Sequence, residues 1–160
     1  MKHASATRLI PSLAALGVGL TGCSEDIAGE WTVDVFDGMG LPMESSMEMT
    51  YADYGYSQSY SASGWMSIDG TGTASLEVQM SYAYSESEGG ATESYSEDET
   101  YVYSGMVTQV DKARFQIRLT GDENEDDEKL DLDCTIRGDD LLDCDERANG
   151  GMYRFSRKEG

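Results

Sequence analysis

Thiol and imidazole side chains, which suit nucleophilic, redox and metal-binding chemistry, are few in this 160-residue chain. There are three cysteines, Cys23, Cys134 and Cys144, and a single histidine, His3. Cys134 and Cys144 are too far apart in sequence to form the Cys-x-x-Cys motif that tunes a reactive dithiol. Their spacing therefore favours a structural role over a redox-active one.

The N-terminal segment has the organisation of an export signal. Residues 1–8 are basic and contain no acid, and residues 9–20 are apolar or small almost throughout. A stretch of about a dozen apolar residues is too short to span a bilayer, which takes roughly 20, but it suits the core of a signal peptide. We therefore predict that residues 1–22 are a cleaved signal peptide.

The motif Leu20-Thr21-Gly22-Cys23 follows directly and resembles the lipobox of bacterial lipoproteins, in which an aliphatic residue and two small residues precede an obligatory cysteine. The resemblance implies that Cys23 is lipidated, that the chain is cleaved before it, and that its partner is a lipid membrane of the cell envelope. Ser24 in the next position points to the outer membrane, because the familiar sorting rule reserves Asp there for the inner membrane. The alternatives are an ordinary signal peptide with a chance cysteine and an uncleaved buried helix.

Loss of residues 1–22 changes what the mature chain can do. The only histidine is removed, which excludes Ser-His-Asp and Cys-His catalysis and an imidazole metal site. We therefore predict no catalytic residues, no metal and no cofactor. Cys134 and Cys144 remain in an oxidising compartment, where disulfides persist, and they can pair within the chain in only one way. Two free thiols are the alternative.

The charge of the chain also restricts its partners. The formal net charge is −20, and loss of Lys2 and Arg8 makes it −22. Such a surface repels nucleic acid and anionic lipid headgroups. It favours solubility and basic partners.

Apolar residues alternate with polar ones along most of the mature chain, which is typical of half-buried strands. Turn signals such as Gly89-Gly90 separate the runs. Strands are predicted at about residues 30–36, 46–54, 57–68, 73–86, 93–109, 113–120, 129–137, 140–146 and 151–157. We predict an all-β fold, an antiparallel up-and-down meander of eight or nine strands that closes as a small barrel. It would form one domain over residues 29–158, after a lipidated N-terminus and tether at residues 23–28; an open meander or a sandwich is the alternative.

One hairpin can be predicted residue by residue. If its turn centres on Asp139, Cys134 faces Cys144 and Ile136 faces Leu142 on the same side of the sheet. Directly opposed residues come close enough for a cross-strand disulfide.

The first predicted strand carries a motif found in a group of barrel proteins. Gly29-Glu30-Trp31 resembles the Gly-x-Trp opening of lipocalins and of the related fatty-acid-binding proteins and avidins. In those families the Trp closes one end of the barrel and a basic residue of the last strand packs across it. The resemblance implies that role for Trp31, with Arg154 or Arg157 as the basic residue.

Tyrosine and methionine suggest a binding site. Residues that could line an apolar cavity are Tyr51, Tyr82, Tyr84, Met47, Met49 and Met80. Ordinary cross-strand packing is the more frequent role of such residues. The acidic run 122–128 offers alternating oxygen ligands for calcium, but Asp127 stands where a calcium loop needs Gly, so we interpret the run as a solvated hairpin tip.

Two functional hypotheses follow. The first is a membrane-anchored lipoprotein whose lipocalin-like domain binds a small apolar or lipid-like ligand. The second is a non-catalytic structural or interaction module of the cell envelope, with a filled core and an acidic surface that meets a basic partner. A cavity lined by Tyr and Met favours the first, and a close-packed interior favours the second.

Overall fold

The computed structural model describes residues 27–121 and 129–158, so the predicted signal peptide, Cys23 and the acidic run 122–128 lie outside the described residues. The described chain is all-β and antiparallel, as predicted. Its strands are β1 (Gly29–Phe36), β2 (Met39–Gly40), β3 (Met43–Tyr51), β4 (Tyr54–Ile68), β5 (Thr73–Glu88), β6 (Ala91–Gln109), β7 (Arg114–Gly121), β8 (Lys129–Arg137), β9 (Leu141–Glu146) and β10 (Met152–Arg157). Strand β2 is not among the predicted strands, because two residues are too few to show a periodic pattern. The described residues contain no helix long and apolar enough to cross a membrane.

Eight of these strands form a closed ring. From β4 to β10 each strand pairs with the next along the chain. The ring closes because β1 pairs with β10 on one side and with residues 65–68 of β4 on the other. The architecture is therefore an up-and-down meander that returns to its first strand, with β2 and β3 as additional strands outside the ring.

The interior of the ring is occupied by apolar side chains. Alternate residues of every ring strand point inward, as the period of two requires. Fully buried examples are Trp31, Val33, Met66, Leu76, Val78, Phe115, Ile117, Leu132, Leu142 and Phe155. From β6, Tyr103 and Val107 are also buried in this core. The core of the protein is this filled barrel.

Strands β4, β5 and β6 are much longer than the others and extend beyond the ring. Residues 54–62, 80–88 and 91–99 pair only with one another and with β3. We call this four-stranded extension the arm. Eight residue steps of about 3.3 Å give it a length of roughly 26 Å. Gly89 and Gly90, both with positive φ, form the two-residue turn at its tip.

The predicted disulfide is confirmed. Cys134 and Cys144 face each other across β8 and β9, as do Ile136 and Leu142, and the two cysteines are joined with their Cα atoms 4.0 Å apart. Both cysteines point into the filled barrel, where they are buried.

We predict that this disulfide contributes about 3 kcal/mol to the free energy of unfolding, because it closes a short loop in the unfolded chain. Urea unfolding of the mature protein with and without reductant measures the effect. The double variant Cys134→Ala/Cys144→Ala is the control, and its unfolding should not respond to reductant. Equal midpoints for oxidised and reduced wild-type protein would contradict the prediction.

Candidate functional site: the tyrosine face of the arm

The end of the barrel at which the described chain begins is closed by Trp31. Its side chain is fully buried, and the indole Nε1 donates a hydrogen bond of 3.0 Å to the carbonyl oxygen of Ile27. The Arg157 guanidinium lies over the indole, 4.5 Å from the ring centroid. Arg157 also donates to the carbonyl oxygens of Ala28 and Asp139. Backbone bonds and a cation–π contact thus seal this end.

Of the two basic residues predicted to pack on Trp31, Arg157 does so. The prediction of Arg154 for this role was wrong. The reason is the alternation along β10: Phe155 points into the barrel, so Arg157 also points inward and Arg154 points outward. The outward guanidinium of Arg154 instead pairs with Asp143, at 2.7 Å.

The arm has two chemically different faces. In the register of β4 and β5, the residues that point into the barrel lie on the same face as the tyrosines further along these strands. This tyrosine face consists of Met47, Met49 and Tyr51 on β3, Tyr54, Tyr56, Gln58 and Tyr60 on β4, Tyr82, Tyr84 and Glu86 on β5, and Glu93, Tyr95, Glu97 and Glu99 on β6. It continues the inner wall of the barrel past the point where the opposite wall ends.

The tyrosine rings pack against one another at the centre of this face. Tyr84 has its ring centroid 6.4 Å from Tyr56 and 6.3 Å from Tyr95, and Tyr82 lies within 6.5 Å of both Tyr84 and Tyr95. Tyr95 donates a hydrogen bond of 2.5 Å to the Glu97 carboxylate. The rings therefore form one connected cluster with carboxylates beside it.

The protonation of the cluster is set by its surroundings. The hydrogen bond to Glu97 raises the pKa of Tyr95 above its ordinary value. Burial, followed by the nearby Glu86 carboxylate, raises the pKa of Tyr54, and burial together with Tyr82 raises the pKa of Tyr56. These tyrosines stay neutral at physiological pH, so the charge of the face comes from its glutamates.

No basic residue of the sequence falls on the arm. The chain contains no Lys, Arg or His between Arg8 and Lys112. The ion pairs of the described residues run along the other side of the barrel, where five arginines meet aspartates of β7–β10 or of the turn before β7: Arg114, Arg118, Arg137, Arg147 and Arg154. This asymmetry in the positions of the basic residues was not among the predictions, although the sequence alone contains it.

The structure brings the six predicted pocket residues to one face but leaves most of that face open. Tyr82 and Tyr84 are half-buried in the tyrosine cluster, and Met80 packs against the barrel core. Met47 and Met49 are about half exposed, and Tyr51 is 80% exposed. These residues therefore line an open surface. They do not enclose a barrel cavity.

The opposite face of the arm is built of small polar residues, and we call it the serine face. It includes Glu44, Ser46, Glu48, Ser57, Ser59, Ser61, Ser81, Ala83, Ser85, Ser94, Ser96 and Asp98. The structure has open grooves along the arm. Residues of both the serine face and the tyrosine face line them. Among the described residues no group of three potential metal ligands comes together.

No family model, curated protein or solved structure matches this chain. The fold and the two faces of the arm are therefore the basis for a functional assignment.

Proposed function

We propose that this protein is a lipid-anchored, non-catalytic interaction module of the bacterial cell envelope, and that the tyrosine face of its arm binds a cationic partner. The proposal follows the second hypothesis of the sequence analysis. The first hypothesis, an apolar ligand inside the barrel, stays a prediction. It is disfavoured because side chains from all eight ring strands fill the interior.

The observation that carries the proposal is the combination of aromatic rings and unpaired charge on the tyrosine face. Tyrosine rings attract Arg and Lys through their π faces, and Tyr is enriched where proteins bind one another. Glu86, Glu93 and Glu97 lie around these rings on a part of the chain that offers no base. A cationic polypeptide bound to this face neutralises these glutamates and covers the exposed Met and Tyr side chains.

The predicted anchor suits this role. Ile27 lies at the closed end of the barrel, and the four residue steps from Cys23 to Ile27 span at most about 14 Å. The strands of the arm run away from that end to the turns at Ala52-Asp53 and Gly89-Gly90. A lipid on Cys23 would therefore hold the closed end at the membrane and place the arm, with its tyrosine face, at the end of the molecule that lies away from the membrane. Ser24 favours the outer membrane as that location.

A binding experiment with a matched control tests the proposal. The probe is fluorescent nona-arginine, titrated with the mature lipoprotein in a non-ionic detergent, with nona-glutamate as the negative probe. We expect nona-arginine to bind and its affinity to fall with added salt. The variant Glu86→Gln/Glu93→Gln/Glu97→Gln should bind about tenfold more weakly, since each exposed charge contributes about 0.2–1 kcal/mol.

The control removes the same number of charges elsewhere. Glu30, Asp140 and Asp145 are exposed acids outside the arm, and replacing them with Gln or Asn changes the net charge by the same amount. This control should keep most of the wild-type affinity. Equal losses in the two triple variants would mean that nona-arginine responds to overall charge, and the tyrosine face would be rejected as the site.

A further inference from the structure

The arm has two edges, and they differ in how well they are protected. The outer part of β6, residues 91–101, carries four acids: Glu93, Glu97, Asp98 and Glu99. Strand β3 forms the other edge. It pairs with β4 over all nine of its residues without a bulge, and no described strand pairs with its outer side.

An unpaired edge presents every second backbone N–H and C=O group to solvent and can pair with another chain. Proteins usually prevent this with charged side chains, above all Lys, with Pro, with a bulge or with a very short strand. Strand β3, Met43–Tyr51, has no Lys, Pro or bulge, and it carries two acids where the outer part of β6 carries four. It also exposes Met47, Met49 and Tyr51, three large side chains in alternation on the tyrosine face. A long, regular and partly apolar edge is a suitable acceptor for an added strand.

The charges on β3 indicate which kind of polypeptide can pair with its free edge. On the serine face of this strand stand Glu44 and Glu48, four residues apart and both exposed. A second copy of the chain would bring the same glutamates and a net negative charge of its own, so self-pairing is electrostatically unfavourable. A strand with Lys or Arg four residues apart on one face and apolar side chains on the other is complementary to both faces of β3, the glutamates on one and the Met and Tyr side chains on the other.

We propose that β3 takes up an extended, basic segment of the partner as a fifth strand of the arm. This inference rests on the proposed function, in which the partner is cationic, and it adds the manner of binding. Backbone hydrogen bonds to β3 hold the segment, its basic residues meet Glu44 and Glu48, and its apolar residues extend the tyrosine face beyond Met47 and Met49.

The test compares two versions of one peptide. The first version, Lys-Leu-Thr-Leu-Lys-Leu-Thr-Leu-Lys, alternates basic or polar residues with leucines as required. The second version has the same sequence but carries N-methyl groups on alternate residues. These groups remove the backbone hydrogen-bond donors along one edge of the peptide and leave its charge and side chains unchanged. Both are titrated into the mature lipoprotein, and amide hydrogen exchange is followed in the complex. We expect the N-methylated peptide to bind at least tenfold more weakly. The unmodified peptide should slow exchange in β3.

A charge-reversal pair locates the site. The variant Glu44→Lys/Glu48→Lys should lose most of its affinity for the unmodified peptide. The control Glu77→Lys/Asp98→Lys makes the same change in net charge on the same side of the sheet, at β5 of the barrel and β6 of the arm, and should retain binding.

The outcomes separate the two proposals. Equal binding of both peptides, with no added protection in β3, would overturn strand addition and leave the tyrosine face as a site for cationic partners. If neither these peptides nor nona-arginine binds, the proposed function fails as well.

Discussion

Replacement of Cys23 by serine is expected to abolish lipid attachment completely. The lipobox resemblance assigns the diacylglycerol to the Cys23 sulfur, and serine cannot form the thioether. The effect on anchoring is large, since each buried methylene of an acyl chain contributes about 0.8 kcal/mol to membrane binding and two chains are needed for stable attachment.

Metabolic labelling of cells with an alkyne analogue of palmitate measures this effect. Wild-type protein should take up the label and start at Cys23, as intact-mass spectrometry would show, whereas Cys23→Ser should be unlabelled and retain residues 1–22. Ser24→Ala is the control and should remain labelled. Absence of label on the wild-type protein would contradict lipidation, and label on Cys23→Ser would place the lipid on another residue.

The largest expected loss of stability from a single substitution is that of Trp31→Ala. Truncation of a fully buried large aromatic side chain costs about 3–5 kcal/mol, and here the Ile27 and Arg157 contacts are lost with it. Trp65→Ala is a matched control, because Trp65 lies beside Thr32 in the same sheet but is 38% exposed.

Urea unfolding followed by far-ultraviolet circular dichroism compares the two variants without relying on tryptophan fluorescence. The free energy of unfolding should fall by several kcal/mol for Trp31→Ala and by clearly less for Trp65→Ala, which removes less buried surface. Similar losses in both variants would show that Trp31 does not have the special role of closing the barrel.

Together the predicted anchor and the closed end would give the protein one functional layout. In that layout the barrel supports the arm, and its filled interior provides stability. The arm carries the exposed aromatic rings and the charge that no residue of its own region neutralises. We therefore expect substitutions in the barrel to change stability and substitutions on the arm to change binding, with little overlap between the two sets.

The sequence by itself determined the local features of the fold. Most strands begin and end within three residues of their predicted positions, because the alternation of apolar and polar residues is local information. The pairing of Cys134 with Cys144 was also predictable, since a short turn sets the register of its two strands. The absence of bases between Arg8 and Lys112 was equally available in the sequence.

Only the tertiary structure decided how the long strands are used. A residue of β4, β5 or β6 lies in the core where the ring is closed and on the open arm beyond it. The boundary lies where β1 pairs with β4 and where β7 pairs with β6, and closure of the ring sets both positions. Met66 is fully buried, whereas Tyr56 on the same face of β4 is only half-buried. The alternation is identical at both positions. What differs is whether a strand from the far side of the barrel covers the side chain, and this requires the non-local contact between the first strand and the fourth.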